Sequence, residues 1–355
     1  MATSTTDNVW REQDTTPTAI EAAIRQLEHD RVQEHPGYVQ SRVLNLVLVV
    51  DKDWSGEIAN RLRRLGRFQP SRTIVCSIGS GRTTLDALVT VAAPGELREH
   101  EIVPTRETVV VEMGQRHVPG IDTIVDPLVK TDIPTLVWAP HGHHDAVEQL
   151  LELSQIVLVD SVEEPDPGEA IRRALALTEK TYVVDLAWLR STPWRERIAG
   201  TFDPLNRRRD LGALTRLEIR HHPDSLASGL LLAGWLASRL GWEPSALVRH
   251  DGGWRAKLHA RRQDVTLDLV TDRAQSVPGL AGMTIETARG ETRTLDRGPG
   301  GLHATLTRKD GSTQSWTVLG ASRGESGILG EGVRQALLRD RTYLPALRVA
   351  EALVR

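Results

Sequence analysis

The sequence predicts an α/β chain: an N-terminal mixed, mostly parallel sheet covered by helices, followed by a smaller α+β domain with an antiparallel meander packed on helices. Three patterns carry that reading. Between residues 43 and 184, short apolar runs alternate with amphipathic ones, as strands followed by covering helices do. From residue 254 onward apolar residues recur at every second position, the period of a sheet with one wet face. Between these regions lies Asp224 to Trp242 (DSLASGLLLAGWLASRLGW), where Ser225, Gly229, Ala233, Ala237 and Gly241 return every fourth residue and form a ridge of small side chains on a helix. Its apolar part, Leu226 to Leu236, falls short of the ~20 residues a membrane span needs, so a buried helix lying against a sheet is expected.

The elements follow in order. Pro17 to Glu34 places Ile20, Ala23, Ile24 and Leu27 on one helical face, and His35-Pro36-Gly37 ends it. Val43 to Val50 is a buried strand, and Trp54, Ile58, Leu62 and Leu65 line the helix expected after it. Strands follow at Arg72 to Ile78, Leu88 to Ala92 and Thr108 to Met113, and Ile121 to Val129 reads as a covering helix. Next come strand Thr135 to Trp138, helix Asp145 to Leu153, strand Ile156 to Val159, helix Glu169 to Leu177 and strand Tyr182 to Val184. Thr192 before Pro193 is expected to cap a helix with a first-turn proline, with Trp194, Ile198 and Phe202 on one stripe. The charged run Asn206 to Asp210 is expected to link two domains, 1–205 and 206–355, the second built on the central helix at 224–241. In that second domain, alternation marks strands around Trp254 to Ala260, Val265 to Leu269, Met283 to Ile285, Leu302 to Leu306 and Trp316 to Val318, before two closing helices.

Composition narrows the function. With 47 acidic against 44 basic residues there is no broad basic field, so neither nucleic acid nor an anionic membrane is an expected partner. The single cysteine, Cys76, lies inside an apolar run and cannot close an internal disulfide, which fits a reducing, cytoplasmic setting. The N-terminus lacks the charged-then-apolar layout of a secretory signal. Nine Trp against two Phe and three Tyr is unusual, but Trp serves cores and binding surfaces alike.

Ligands of a doubly covered sheet gather beyond the carboxyl ends of its strands, so those turns hold the candidates. Gly79, Ser80, Gly81 and Arg82 follow a strand and offer small residues with an Arg, a cradle for phosphate. They lack both the Gly-Lys-Ser/Thr ending of a P-loop and the glycine spacing of a dinucleotide fingerprint. His141, His143, His144 and Asp145 lack the helical offset of a zinc motif, so no metal site is assigned. Asp51, Lys52, Asp53, Asp160, Ser161 and Asp185 also stand at strand ends, yet Asp and Ser there cap helices, and no nucleophile elbow accompanies them. No catalytic residues and no cofactor are assigned. A sugar-phosphate- or nucleotide-binding enzyme or sensor using the turns after strands 72–78 and 135–138 stays open as the alternative.

Four segments together carry a resemblance: SRTIVCSI at Ser71 to Ile78, DIPTLVWAP at Asp132 to Pro140, DLAWLRSTPWRERIAGTFDP at Asp185 to Pro204 and LLLAGWLASRLGW at Leu230 to Trp242. In order and spacing they resemble the glucose-6-phosphate dehydrogenase assembly protein OpcA family over nearly the whole chain. The resemblance implies a non-catalytic assembly factor and allosteric activator that binds glucose-6-phosphate dehydrogenase at the entry to the oxidative pentose phosphate pathway. Some relatives are under redox control through cysteines, which Cys76 alone cannot reproduce as an internal disulfide switch. Trp and Arg are the usual anchors of protein interfaces, so Trp188, Arg190, Trp194 and Arg195 are the expected contact residues, with Arg190 and Arg195 the exposed members.

Overall fold

A computed structural model describes residues 8–34, 39–54, 56–57, 71–91, 102–104, 106–261, 263–319 and 324–355. The chain divides into two compact units, and neither is continuous in sequence. Residues 1–159, 180–184 and 325–337 make the first, and residues 160–179, 185–324 and 338–355 the second. Helices between 167 and 202, expected before a boundary at residue 205, group here with the second unit, on whose helices their apolar faces pack.

The first unit holds β1 (Asn8–Glu12), α1 (Pro17–Glu34), β2 (Val39–Ser41), β3 (Leu44–Asp51), β4 (Ser71–Gly79), β5 (Asp86–Val91), β6 (Ile102–Pro104) and β7 (Arg106–Gly114). It continues through α2 (Ile121–Val125), β8 (Thr135–Trp138), α3 (His144–Leu150), β9 (Ile156–Val159) and the first three residues of β10 (Tyr182–Asp185). Its sheet runs β1-β5-β7-β4-β3-β8-β9-β10, while β2 and β6 form a separate parallel pair. Neighbours from β7 to β9 are parallel, and β5 and β1 extend the sheet antiparallel. Counting from β3, the order of the parallel part is that of the doubly wound dinucleotide-binding fold, which reverses direction between β3 and β8. The expected strands sit where alternation and apolar runs put them, and β3 is buried along almost its whole length. The helix expected over Ile58, Leu62 and Leu65 lies outside the described residues. Trp54, expected on its apolar face, stands in a single 3₁₀ turn (Lys52–Trp54) and is 49% exposed.

Polar anchors set the register at the base of this sheet. Asn45 is fully buried and donates to the carbonyl oxygen of Lys130 at 2.9 Å, while its own side-chain oxygen accepts from the Lys130 amide at 3.0 Å. Glu107, also buried, accepts from Arg72 Nε at 2.8 Å and pairs with Arg42, and Arg72 continues to Leu128 O at 3.0 Å and to Glu28. Burial lowers the pKa of the Arg72 guanidinium, which the Glu28 carboxylate opposes. Cys76 lies fully buried in β4, and burial pushes its thiol up to about 12.

The second unit contains α4 (Pro167–Thr178), α5 (Leu186–Arg190), α6 (Thr192–Phe202), α7 (Leu205–Arg208), β11 (Leu214–His221), α8 (Leu226–Leu240), β12 (Glu243–Pro244), β13 (Val248–His250), β14 (Gly253–His259) and β15 (Asp264–Thr271). It ends with β16 (Leu280–Thr287), β17 (Thr292–Gly298), β18 (Gly301–Thr307), β19 (Thr313–Leu319) and, after α9 (Gly324–Leu338), which clusters mainly with the first unit, α10 (Tyr343–Leu353). The sheet order is β12-β14-β15-β11-β16-β17-β18-β19, with β13 also on β14. It is antiparallel, as expected, except that β11 and β15 run parallel, which follows from α8 crossing over after β11. Helix α8 is the buried core element expected, closed by Gly241 in the left-handed conformation at φ 66°. Gly229 of its small-residue ridge faces the sheet: a Cβ there would stand 3.4 Å from His221 and 3.6 Å from Leu269. The tightest approach falls off that ridge, at Gly234, where α10 crosses against the bare backbone.

One strand escaped the sequence pattern. β17 (TRTLDRG) has a single apolar residue, yet Arg293 and Leu295 both point to the helix-covered face. Arg293 is tolerated there because Asp210 and Glu291 each accept from Nη2 at 2.8 Å and its guanidinium lies 5.1 Å from the Phe202 ring centre. The opposite face is a lattice of ion pairs in which Arg216 reaches Asp268 at 2.9 Å and Glu218 at 3.0 Å, and Arg255 reaches Asp268 at 2.6 Å. No helix among the described residues is long and apolar enough to cross a membrane.

Candidate functional site

The carboxyl ends of β3, β4 and β8 form the rim where a doubly wound sheet binds its ligand. In dinucleotide-binding proteins a glycine-rich turn after the first strand lets a pyrophosphate sit on a helix N-terminus. Here that turn reads Asp51-Lys52-Asp53-Trp54, with two carboxylates where an anion would approach. Asp51 Oδ1 lies 3.1 Å from His143 Nε2, and Trp54 packs on His141 with ring centres 5.2 Å apart, so residues expected as separate motifs meet at one rim. Lys52 Nζ is 3.1 Å from Glu112.

Gly79 to Arg82 is a turn from β4 toward β5, with Gly81 at φ 70°, and no helix follows it to supply an N-terminus. Arg82 is already engaged by Asp86 and by Glu112, the latter at 2.6 Å, so its charge faces two carboxylates rather than an open cradle. Gly114 is required beside it, because a Cβ there would run into the Arg82 backbone. Among the described residues no group of three His, Cys, Asp or Glu is placed to hold a metal ion.

In the second unit, Asp160 and Asp185 lie in a buried polar cluster. Asp185 caps α5 by accepting from Ala187 N at 2.9 Å, and it also accepts from Ser161 N at 3.2 Å, Ser161 Oγ at 2.5 Å and the Tyr343 hydroxyl at 3.1 Å. Asp160 is held by Arg190 Nη1 through both oxygens, at 2.8 and 2.7 Å. Burial raises both carboxyls, Asp160 to about 6 against the opposing pull of Arg190. A serine and a carboxylate meet here with no imidazole bonded to either among the described residues, and Ser161 Oγ and both oxygens of Asp185 are occupied by the fold itself. The cluster braces α5 against α10.

The expected contact residues belong to the same brace. Trp188 and Trp194 are buried, and the Trp188 indole donates to Asp340 Oδ2 at 2.8 Å. Arg195, expected to be exposed, is buried instead: its guanidinium stacks 3.6 Å from the Trp188 ring centre and donates to Ser191 Oγ at 3.1 Å and Thr192 Oγ1 at 2.9 Å. Burial lowers its pKa to about 10. Arg190 keeps about a fifth of its side chain accessible. The exposed tryptophans lie elsewhere, at Trp54 and at Trp316 on β19. Trp316, with Ile198, Met283, Leu295, Ala304 and Arg293, lines a small cleft between α6 and the sheet. Trp54 was legible as a tryptophan one turn past a strand. The cleft was not, since its Arg293 sits on the strand that the pattern missed.

Comparison with known proteins adds an independent line. Residues 63–176 match the family described as glucose-6-phosphate dehydrogenase subunit N-terminal domain, and residues 181–347 match its C-terminal domain. A putative OxPP cycle protein OpcA from Synechococcus elongatus is 30% identical over 210 residues, 58% of this chain and 46% of that protein. A protein of the same description from Synechocystis sp. is 30% identical over 128 residues, 35% of this chain and 27% of that one. The chain thus spans about half the length, or less, of the curated relatives it matches. Among solved structures, a super-repressor mutant of Gal80p from Saccharomyces cerevisiae aligns over 88% of this chain and 96% of its own, at TM-score 0.50 and 10% identity, a likeness of fold. A Gfo/Idh/MocA family oxidoreductase from Vibrio cholerae aligns over 87% and 96%, at TM-score 0.44 and 11% identity.

Proposed function

The chain belongs to the OpcA family of glucose-6-phosphate dehydrogenase assembly proteins, and from that premise we propose that it binds this dehydrogenase, supports its assembly and raises its activity without turning over substrate itself. The observation that carries the reading is the rim of the first sheet. Its strand order is that of dinucleotide enzymes, but the phosphate-binding turn is replaced by Asp51-Lys52-Asp53-Trp54, and Lys52 and Arg82 are neutralised by Glu112 and Asp86. A pyrophosphate brought there meets the carboxylates of Asp51 and Asp53. Among the described residues the strand order of a dinucleotide fold stands with an acidic turn after its first strand.

An activator must hold one state of its partner more tightly than another, since equal affinity shifts no equilibrium. A braced surface suits that task. The Trp188, Arg195 and Asp340 stack and the Asp160–Arg190 pair keep the segment from 185 to 202 rigid, so little ordering entropy is lost on binding. In this reading Arg190 contributes a direct contact, while Trp188, Trp194 and Arg195 hold the shape it is presented on. The setting is cytoplasmic, where the partner and the buried thiol of Cys76 are both at home.

Titration of purified glucose-6-phosphate dehydrogenase with this protein, following rate and oligomer size together, tests the proposal. A complex with a higher rate is expected. No complex and no change in rate would refute it, as would turnover of glucose 6-phosphate by the isolated chain.

A further inference from the structure

The second sheet ends on β19, and no strand among the described residues pairs with its outer edge. Unpaired backbone N–H and C=O groups along such an edge invite another strand, and proteins ordinarily guard it with a charge, a proline, a bulge or extreme shortness. The opposite edge of the sheet has these guards: β12 is two residues long and contains Pro244, and β13 is three residues long with Arg249 at its centre. In the first unit the edge strand β1 carries Arg11 and Glu12. β19 has none of them. Its sequence, TQSWTVL, holds no charge and no proline, and its seven residues pair with β18 without a register shift.

We propose that β19 pairs with β19 of a second copy of this chain, antiparallel about a two-fold axis at Trp316, so that two sheets join into one. Trp316 is the central residue of the seven, and a symmetric register therefore sets it opposite its own copy and Ser315 opposite Thr317. No position brings like charges together. An uncharged edge has nothing with which to select a partner of opposite charge, whereas it accepts itself at every step. Trp316 supplies the second observation. It is 36% exposed at the border of the cleft behind β18, and the facing indole of the copy covers that apolar surface. This contact forms in the chain alone and does not rest on the dehydrogenase reading.

Sedimentation of the full chain at about 50 µM is expected to give twice the chain mass. Trp316→Lys sets one ammonium against another, and Ser315→Lys plants a charge on an exposed position of the edge; both are expected to sediment as monomers that keep a cooperative melt. Register is read separately by cross-linking. Because Cys76 is buried, a cysteine introduced on β19 is the reactive thiol, and Trp316→Cys is expected to oxidise to a covalent dimer. Thr313→Cys stands ~20 Å from its own copy in this register and should not. A monomer at that concentration, a dimer that survives both lysine variants, or equal cross-linking from 313 and 316 would overturn the proposal. So would lysine variants that lose only the dehydrogenase complex, which would assign the edge to that enzyme instead.

Discussion

Replacing Gly234 with alanine tests the closest helix crossing in the second unit. On an isolated helix this change stabilises by about 1 kcal/mol, because glycine is the poorer helix former. Here the new Cβ would overlap the carbonyl oxygen of Ala346 and stand 3.1 Å from its carbon and 3.2 Å from the amide nitrogen of Ala350. These are backbone atoms of α10 and cannot rotate away, so the two helices must part by roughly 1 Å, which forfeits a quarter to a half of the dispersion energy across the contact. Ala346, Leu347, Ala350 and Leu353 are all fully buried and share that loss. Overpacking of this kind costs about 1–3 kcal/mol and separation of the helices adds to it, so the net effect after the helix-propensity gain is a destabilisation of about 2 kcal/mol. For a unit of this size that is a fall of about 4–8 °C in melting temperature. Gly229→Ala is the control: its nearest neighbours, at 3.4 to 3.8 Å, are side-chain atoms in ordinary contact, so it should be neutral or up to about 1 kcal/mol more stable. Thermal and urea unfolding of the two variants gives the comparison. If Gly234→Ala melts at or above Gly229→Ala, the crossing is not as close as described.

Two further predictions concern buried charge. The Asp160 carboxyl is raised from 3.8 to about 6, chiefly by burial, so the folded chain holds this proton more tightly than the unfolded one; its contribution is complete below 3.8 and is lost as pH rises through 6. Asp160→Asn should flatten the fall in stability between those pH values, read by denaturant unfolding at stepped pH, and an unchanged slope would reject the assignment. Glu107→Ala leaves Arg72 and Arg42 with Glu28 as the carboxylate they still share and should cost about 3 kcal/mol in urea unfolding, with Glu107→Gln costing less; a loss under about 1 kcal/mol would mean that water reaches the site.

Much of the first unit was legible because a strand buried on both faces writes itself as an unbroken apolar run, as β3 does, and the start of α5 in the second unit was legible because Asp185 caps it. The central helix α8 was equally plain, but not the residue that matters most on it. The small-residue ridge was read at a spacing of four, while the bare spot that α10 needs is Gly234, whose partner lies more than a hundred residues away. Strand β17 hid because burial of Arg293 depends on Asp210 and Glu291, and local alternation says nothing of a charge neutralised from a distance. The exposure of Arg195 was misjudged for a related reason: it looked like surface until Trp188 and Asp340 gave it a place inside. Packing, not order along the chain, assigns a helix to a core, so the units of contact are discontinuous where a linear reading draws one boundary.

The crossing at Gly234 also has a meaning in time. Helix α10 begins about a hundred residues after α8 ends, which at 5–20 residues per second is a wait of about 5–20 s on the ribosome. Throughout that interval one flank of a leucine-rich helix has no mate, so a nascent chain must be shielded by chaperones or risk sticking to its neighbours. Slowing translation between these two segments should therefore lower the yield of usable protein without altering a single side chain.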